Sequence, residues 1–468
     1  MEPIIPQKRQ CLSSLKSPTF KRIEGKLIIL VCFFSILTAH SQQSHTIAPT
    51  AVTIKTADSL NPILQIARGI QDPIFQQIFQ SPDKYRLQIL YTQINRDKNN
   101  RPHFTTYSYH LNPSSYFNPA STVKMPLSFL SLEKLHHLIR YGVNKDSYML
   151  TDSSYTAQQK IDKDSTSASG YPSIAAYIKR IFLVSDNDAY NRLYEFLGQQ
   201  YIQRRLNELG YTHTRINRRF YPMNEDQNRH TNRIRFLLNA GQPQLLYTQP
   251  PAYNKDSFSY GPAVLIGKGH MDASDSLIQG PFDFTRGNET TLTDLTEMLK
   301  SVLFPEAVTP GRRFNLSAAD RKFLLQYMSQ YPSETNYPKY DTSKFFDSFT
   351  KFFFRNKGPH LPSYVRAFNK PGWSYGFLTN VSYIADFKHH VEFMLSCTLY
   401  VNEDGIINDN KYDYDTLGFP FMTQLGQGIY QYELHRIKKY DPNLSAFRLN
   451  YEKRDPLDTR AMIQDIAD

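Results

Sequence analysis

Three short segments hold residue types that can carry acyl transfer. A serine precedes a lysine by one helical turn in Ser121-Thr122-Val123-Lys124. A serine and an amide side chain flank an aspartate in Ser185-Asp186-Asn187, and a lysine leads a Pro-Gly step in Lys370-Pro371-Gly372. The Ser121 hydroxyl can lose its proton to the Lys124 amine and attack a carbonyl carbon. Ser185 can then pass a proton to the leaving group, and Asn187 can hold a substrate amide and the lysine side chain. Lys370 can offer positive potential to a substrate carboxylate, and Gly372 can let a substrate backbone come close. Asp186 reads as a residue that fastens the local backbone.

Each segment alone is weak. The Ser-x-x-Lys spacing occurs five times, beginning at Ser13, Ser81, Ser121, Ser131 and Ser348. Ser13 lies in the leader, Ser81 has Pro82 inside the pattern, and Ser131 and Lys134 read as mid-helix surface. Ser121 falls at a helix start, where backbone N–H groups and the helix dipole favour a developing oxyanion. Lys124 lies three residues on, on the same face. Burial beside Asn187 and Ser185 can lower its pKa. Taken singly, Ser121 also reads as a helix cap with a solvated Lys124, Ser185-Asp186 as an N-cap, and Pro371-Gly372 as a strand end.

The conjunction is more specific. Phe117 to Pro126 resembles the nucleophile segment of the class A serine β-lactamases. Val184 to Asn187 resembles their second motif, and Lys370-Pro371-Gly372 with Tyr375-Gly376 resembles their third. Asn288-Glu289-Thr290-Thr291 before a helix resembles the segment after their active-site loop. The likeness runs from about residue 85 to about 435 and extends to the penicillin-binding D-alanyl-D-alanine peptidases. It implies an α/β (α+β) fold: a five-stranded antiparallel sheet flanked by helices, an all-helical lobe, and the site between them. It also implies Ser121 as nucleophile, Lys124 as its base and Ser185 as proton shuttle. Asn187, Lys370, Gly372, Trp373 and Ser374 become substrate-binding positions, with the N–H groups of Ser121 and Trp373 as the oxyanion hole.

Three departures stand out. Matching Thr214-Arg215 to the family places Phe220 where a glutamate activates the deacylating water, and Glu225 comes five residues later. Pro371 replaces a hydroxyl residue that would touch the carboxylate, with Ser374 as a substitute, and Pro lacks an N–H for a sheet. Ser185 to Lys370 spans 185 residues, longer than the family needs, which predicts a reshaped pocket.

The elements that must position these groups follow from periodicity. An opening helix is expected over Leu60 to Phe79, and strands over Arg86 to Asn95 and His103 to His110. Helices are expected from Asn118 to about Gly142, Ile174 to Val184, Asp186 to Leu197 and Tyr201 to Leu209. Two more are expected over Leu292 to Leu303, capped by Thr291 or Thr293, and Ser317 to Met328. Residues 211–290 lack a period and read as a long structured loop region that can cover the site. Strands return over Val365 to Asn369, Phe377 to Asp386 and Val391 to Val401, before a closing helix over Phe419 to Lys438. The expected organisation is a signal peptide (1–41), the first helix and strands of the sheet lobe (42–117) and a helical lobe with the inserted loop (118–345). The rest of the sheet lobe (346–440) and a polar tail (441–468) follow.

The leader places Lys8, Arg9, Lys16, Lys21, Arg22 and Lys26 before an apolar run from Leu27 to Leu37, with Ala39-His40-Ser41 as a cleavage site. Periplasmic or secreted localisation is expected. The net charge of +11 falls to +7 without residues 1–41, which carry six Lys/Arg and two Asp/Glu. Local basic groups, such as Arg215, Arg218 and Arg219, read as solvated surface rather than a nucleic-acid face. Cys11 and Cys32 leave with the leader, so Cys397 stands alone and no intrachain disulfide forms. The His136-His137 and His389-His390 pairs do not share a helical face, so neither metal nor cofactor is expected.

The expected function is an exported serine hydrolase of β-lactamase or D-alanyl-D-alanine carboxypeptidase type. It forms an acyl-enzyme on Ser121 from a small-molecule or peptidoglycan-derived amide or ester with a nearby carboxylate. The missing glutamate predicts slow hydrolysis of that intermediate. A turnover-deficient, penicillin-binding-like envelope protein and a small-acyl esterase remain alternatives. No nucleic-acid partner is expected, nor a membrane once the signal is removed, and the oligomeric state is open.

Overall fold

The computed structural model describes residues 54–55, 61–155, 159–239, 244–355 and 361–466. The expected leader and cleavage site lie outside the described residues. A sheet of five antiparallel strands forms the frame, in the order Pro102–Tyr109, Gln88–Arg96, Val391–Tyr400, Phe377–Asp386, Val365–Ser374. The two-residue strand Ile54–Lys55 adds in parallel outside Pro102–Tyr109. Segments from the two sides of the helical middle thus build one sheet, as the alternating segments at both ends of the sequence imply.

Alternation assigns the two faces. Leu378, Ile384, Leu395 and Leu399 point into one core with Phe421 and Leu425 of the closing helix Phe419–His435. Val381, Tyr383 and Met394 point into the other, with Leu295 and Leu299 of the helix Leu292–Leu303. The strand Phe377–Asp386, one in from the edge, is buried throughout.

Local signals set the helix ends. Thr291 caps Leu292–Leu303 by accepting from Asp294 N at 3.1 Å. Ser317 and Asp320 form a capping box before Ala318–Ser329. The expected opening helix is instead two, Pro62–Gly69 and Pro73–Phe79. Pro73 excludes helical backbone from Asp72 before it, and Asp72 caps the second helix.

Residues 211–290 hold short strands where a loop is expected. Ile234–Leu237 pairs with Tyr148–Thr151 and Leu245–Gln249, and Phe282–Asp283 pairs with Leu265–Ile266. Strands of two to five residues are too short to show a clear period, so the sequence does not reveal them. The excursion leaves and returns through one clamp. Arg215 and Glu289 exchange backbone hydrogen bonds of 2.8 Å each way, and Asn288 Oδ1 accepts from Asn217 N and Arg218 N. A clamp at the base lets a long insertion sit on the fold at small closure cost.

The end of the chain is not a polar tail. Leu444 and Phe447 enter the core, and Glu452 accepts from Lys179 Nζ at 2.9 Å and Tyr327 OH at 2.7 Å. Isolated apolar residues among polar ones leave no periodic trace. Among the described residues no helix is long and apolar enough to cross a membrane.

Candidate active site

Residues Ala120–Val123 form a 3-10 turn that runs into the helix Lys124–Leu135. Three residues per turn eclipse positions i and i+3, so Ser121 and Lys124 share one edge. Asn118 Oδ1 accepts from Ala120 N at 2.9 Å, and Thr122 Oγ1 donates to Pro119 O at 2.6 Å, which fixes the turn.

Ser185 closes the helix Ile174–Val184 in the left-handed region, with φ +64°. Asp186 starts the helix Asn187–Leu197 by accepting from Ala189 N at 2.8 Å. Its second oxygen takes two bonds from Arg180, at 2.8 and 2.6 Å, so the expected fastening role is a buried ion pair as well as a cap.

The third motif lies inside a strand rather than after one, because Val365–Ser374 pairs with Phe377–Asp386 along its full length. Tyr375 and Gly376, both at positive φ (+53° and +83°), make the two-residue turn between them. In such a hairpin the closing pair Ser374–Phe377 is hydrogen-bonded and pairs then alternate. Trp373 and Pro371 therefore aim their backbone nitrogens away from the neighbouring strand, over the free edge of the sheet. Pro371 gives up no ladder bond there, which removes the difficulty its missing N–H raised.

Ala120, Ser185 and Tyr375 are thus non-glycine residues at positive φ, one beside or within each motif. Such backbone costs about 1–3 kcal/mol per residue and survives only where the surroundings enforce it.

The three motifs converge. Lys124 is fully buried; its Nζ donates to Asn187 Oδ1 at 2.6 Å and to the Ser185 carbonyl. Lys370, also fully buried, donates from Nζ to Ser185 Oγ and to Pro371 O, both at 2.8 Å. A cavity of about 490 Å³ opens in front, with Ser121, Asn187, Trp373 and Ser374 on its wall. Ser121 is partly exposed there, while the two lysines and Ser185 form a buried floor behind it.

Two expectations change. A Cβ on Gly372 would meet Pro119 O at 2.7 Å, Ser121 N at 2.8 Å and Thr122 N at 2.9 Å. The missing side chain therefore admits the nucleophile turn rather than a substrate backbone. Lys370 does not face the cavity as a cationic anchor. Burial, then the charges of Lys124 and Lys351, push its amine well below the ordinary lysine range, so it suits hydrogen bonding to Ser185 better than attracting a carboxylate. Trp373 reaches the cavity, and its indole stacks at an angle on Phe349 and Phe352 in the core.

Residues 75–432 match the beta-lactamase enzyme family. The chain belongs to that family. Its general activity is accordingly that of a serine hydrolase of the beta-lactamase type. Among solved structures, a beta-lactamase from Xanthomonas campestris is 15% identical, with 79% of this chain and 98% of that chain covered and a TM-score of 0.43. A beta-lactamase from Desulfarculus baarsii is 14% identical (79% and 97% covered, TM-score 0.40). A mutant of PBP-A in an acyl-enzyme complex with penicillin G is also 14% identical (79% and 96% covered, TM-score 0.41). No curated protein matches the chain.

Phe220, which the sequence resemblance sets at the position of a glutamate, lies on the cavity wall. Its ring stacks on Tyr190 at 4.3 Å, its N–H is held by Asn191 Oδ1 at 2.8 Å, and Lys124 Nζ lies 5.2 Å from its centre. Glu225 does not take over. It pairs with Arg286 at 2.5 Å and Arg229 at 3.4 Å. Desolvation pushes its carboxyl up, but those two partners outweigh it and hold the group below its ordinary value.

Sequence reasoning missed two groups. Ser131 and Lys134 are not surface: Ser131 is buried, and Lys134 Nζ donates to Phe196 O at 2.5 Å, at the end of the helix Asn187–Leu197. Arg218, Phe282 and Tyr375 line the cavity. Arg218 belongs to the basic cluster read above as solvated surface, and Tyr375 follows the third motif, whereas Phe282 carries no sequence signal.

Proposed function

We propose that the protein is an exported serine acyl-transfer enzyme whose acyl-enzyme on Ser121 breaks down slowly. One observation carries this reading: Ser121 and Asn187 share the wall of an open cavity, and Asn187 Oδ1 accepts from the buried Lys124, which also bonds Ser185, itself held by Lys370. Ser121 Oγ attacks the carbonyl carbon of an amide or ester, and its proton passes to Lys124 Nζ. A neutral amine can donate two hydrogens to the Asn187 and Ser185 oxygens and still accept through its lone pair. The oxyanion sits between the N–H groups of Ser121 and Trp373. Ser185 Oγ–H gives its proton to the leaving nitrogen or oxygen as the C–N or C–O bond breaks. Lys370 Nζ holds Ser185 in place while its proton is restored from Lys124.

Hydrolysis then needs a water and a base. Phe220 supplies neither a carboxylate nor a hydrogen-bond acceptor at the place where the family keeps one. A penicillin or a D-alanyl peptide fits the general chemistry as acyl donor. Phe220 favours a protein that retains the acyl group over an efficient β-lactam hydrolase. The leader sequence supports export to the periplasm or beyond.

Intact-mass spectrometry of the folded protein with a penicillin and with an acyl phosphonate tests the reading. The expected result is a stoichiometric adduct on Ser121 that persists for minutes and is absent from Ser121→Ala. No adduct with either probe would reject it.

A further inference from the structure

The inserted segment supplies a second wall of the cavity, made of aromatic rings. Phe282 lies parallel to Tyr375 with ring centres 5.8 Å apart, and Phe284 meets both edge-on at 4.8 and 5.6 Å. Tyr116 closes the row against Phe284 at 5.7 Å. Phe282 and Tyr375 remain partly exposed towards the cavity. Their faces suit a flat apolar group.

A cation stands on the same cavity. Neighbouring guanidiniums are already engaged: Arg215 with Glu289 at 2.9 Å, Arg219 with Glu195 at 2.7 Å and Arg286 with Glu225 at 2.5 Å. Arg218 has no carboxylate partner among the described residues. Its backbone is rigid: Asn288 Oδ1 accepts from its N at 3.1 Å, and Tyr190 OH donates to its carbonyl at 2.8 Å. The one acidic group on the wall, Asp283, is exposed and accepts from Thr285 N at 2.8 Å. Lys370 is buried beneath the floor, so Arg218 is the cation on the cavity wall that no carboxylate of the described residues already holds.

Resting on the acyl-enzyme reading, we propose that Arg218 and the Phe282–Tyr375 wall form a subsite for an anionic, flat substituent on the acyl part of the substrate. The leaving group must reach Ser185 at the buried floor. Residues 218–222 and 282–288 therefore face the part that stays on Ser121. The guanidinium pairs with a carboxylate through charge-assisted hydrogen bonds, and the rings take the body of the group.

Calorimetric titration of the full chain with 4-carboxyphenylacetamide and with phenylacetamide tests this. The carboxylated ligand should bind about tenfold tighter, as expected for a charge-assisted hydrogen bond. Arg218→Gln should bring that ratio to about one, and Arg218→Lys should keep part of it. Phe282→Ala should weaken both ligands by about threefold to tenfold with the ratio intact, the loss of one aromatic contact. A ratio near one in the unaltered protein, or a ratio that survives Arg218→Gln, overturns the subsite. So does an equal loss of both ligands in folded Arg218→Gln. Ser121→Ala should retain the ratio. An intact ratio in a protein that forms no Ser121 adduct rejects the acyl-enzyme reading and leaves the subsite standing.

Discussion

Gly372 and Ser121 are in backbone contact: a methyl group on Gly372 would lie 2.8 Å from the Ser121 amide nitrogen. The strand of the third motif and the turn of the first are therefore one packed unit. Gly372→Ala must push the turn away or bend the strand. Overpacking of this kind costs about 1–3 kcal/mol, and a displacement near 1 Å at a nucleophile costs about 10²-fold in rate. Acylation of Ser121 in Gly372→Ala, timed by mass spectrometry, should fall by that order while the protein stays folded.

On the proposed reading, Phe220 sets the lifetime of the acyl-enzyme. Phe220→Glu places a carboxylate where the family has one, and a positioned general base contributes about 10²–10⁴-fold. Adduct lifetime should shorten by about 10²-fold, with little change in the rate of formation. Phe220→Gln should not shorten it. Loss of the stacking on Tyr190 should lower stability in both variants, which thermal melts would record.

Asp186 caps one helix and neutralises Arg180 of the helix before it. Asp186→Asn keeps a capping oxygen but leaves a buried guanidinium short of charge, with Asp164 and Asp188 still at 3.4 and 3.6 Å. Asp186→Ala loses both. Denaturant unfolding should show a loss of about 1–3 kcal/mol for Asn and about 3–5 kcal/mol for Ala. Ser185, at positive φ between these helices, should lose its position in the Ala variant, seen as slower acylation.

Lys351 makes stability depend on pH. Burial first, with the Arg366 charge, holds its amine at about 7 in the folded chain. The unfolded chain protonates the same amine at about 10.4. Between these values the unfolded state binds the extra proton, so stability is fullest above about pH 10 and falls as pH drops towards 7. Lys351→Met removes that contribution. It also leaves Met328 O and Asn369 Oδ1 without this donor, so the slope is the readout rather than the absolute stability. Urea midpoints measured from pH 7 to 10 should give a slope shallower than the parent's by up to about 1.4 kcal/mol per pH unit. Equal slopes would contradict the burial account.

The local alphabet of the fold was legible. Thr291 and Ser317 with Asp320 start helices where capping chemistry predicts, because the cap and the donor it satisfies are three residues apart. The long strands show because alternate residues enter two different cores. The 230–283 strands, the buried Leu444 and Phe447, and the break at Asp72-Pro73 did not show in the periodicity, because each involves only a few residues.

The sequence by itself determined which residues could do chemistry: a serine and a lysine at the spacing of one turn, a second serine beside an amide, and a lysine before Pro-Gly. Context singled out Ser121 among the five Ser-x-x-Lys segments, but did not decide whether its hydroxyl is open to a ligand. Lys124 and Lys351 are buried and Lys134 is half-buried, and each donates to a carbonyl at or near a helix end: Ser185, Met328 and Phe196 respectively. Ser131 and Ser348 are sealed in the interior, and Ser121 stands at the cavity wall. Only the tertiary structure decides that, because exposure depends on what the rest of the chain leaves uncovered. It also turned Lys370 from a cation at the surface into an amine under the floor, since the dielectric around a side chain is set by residues far away in sequence.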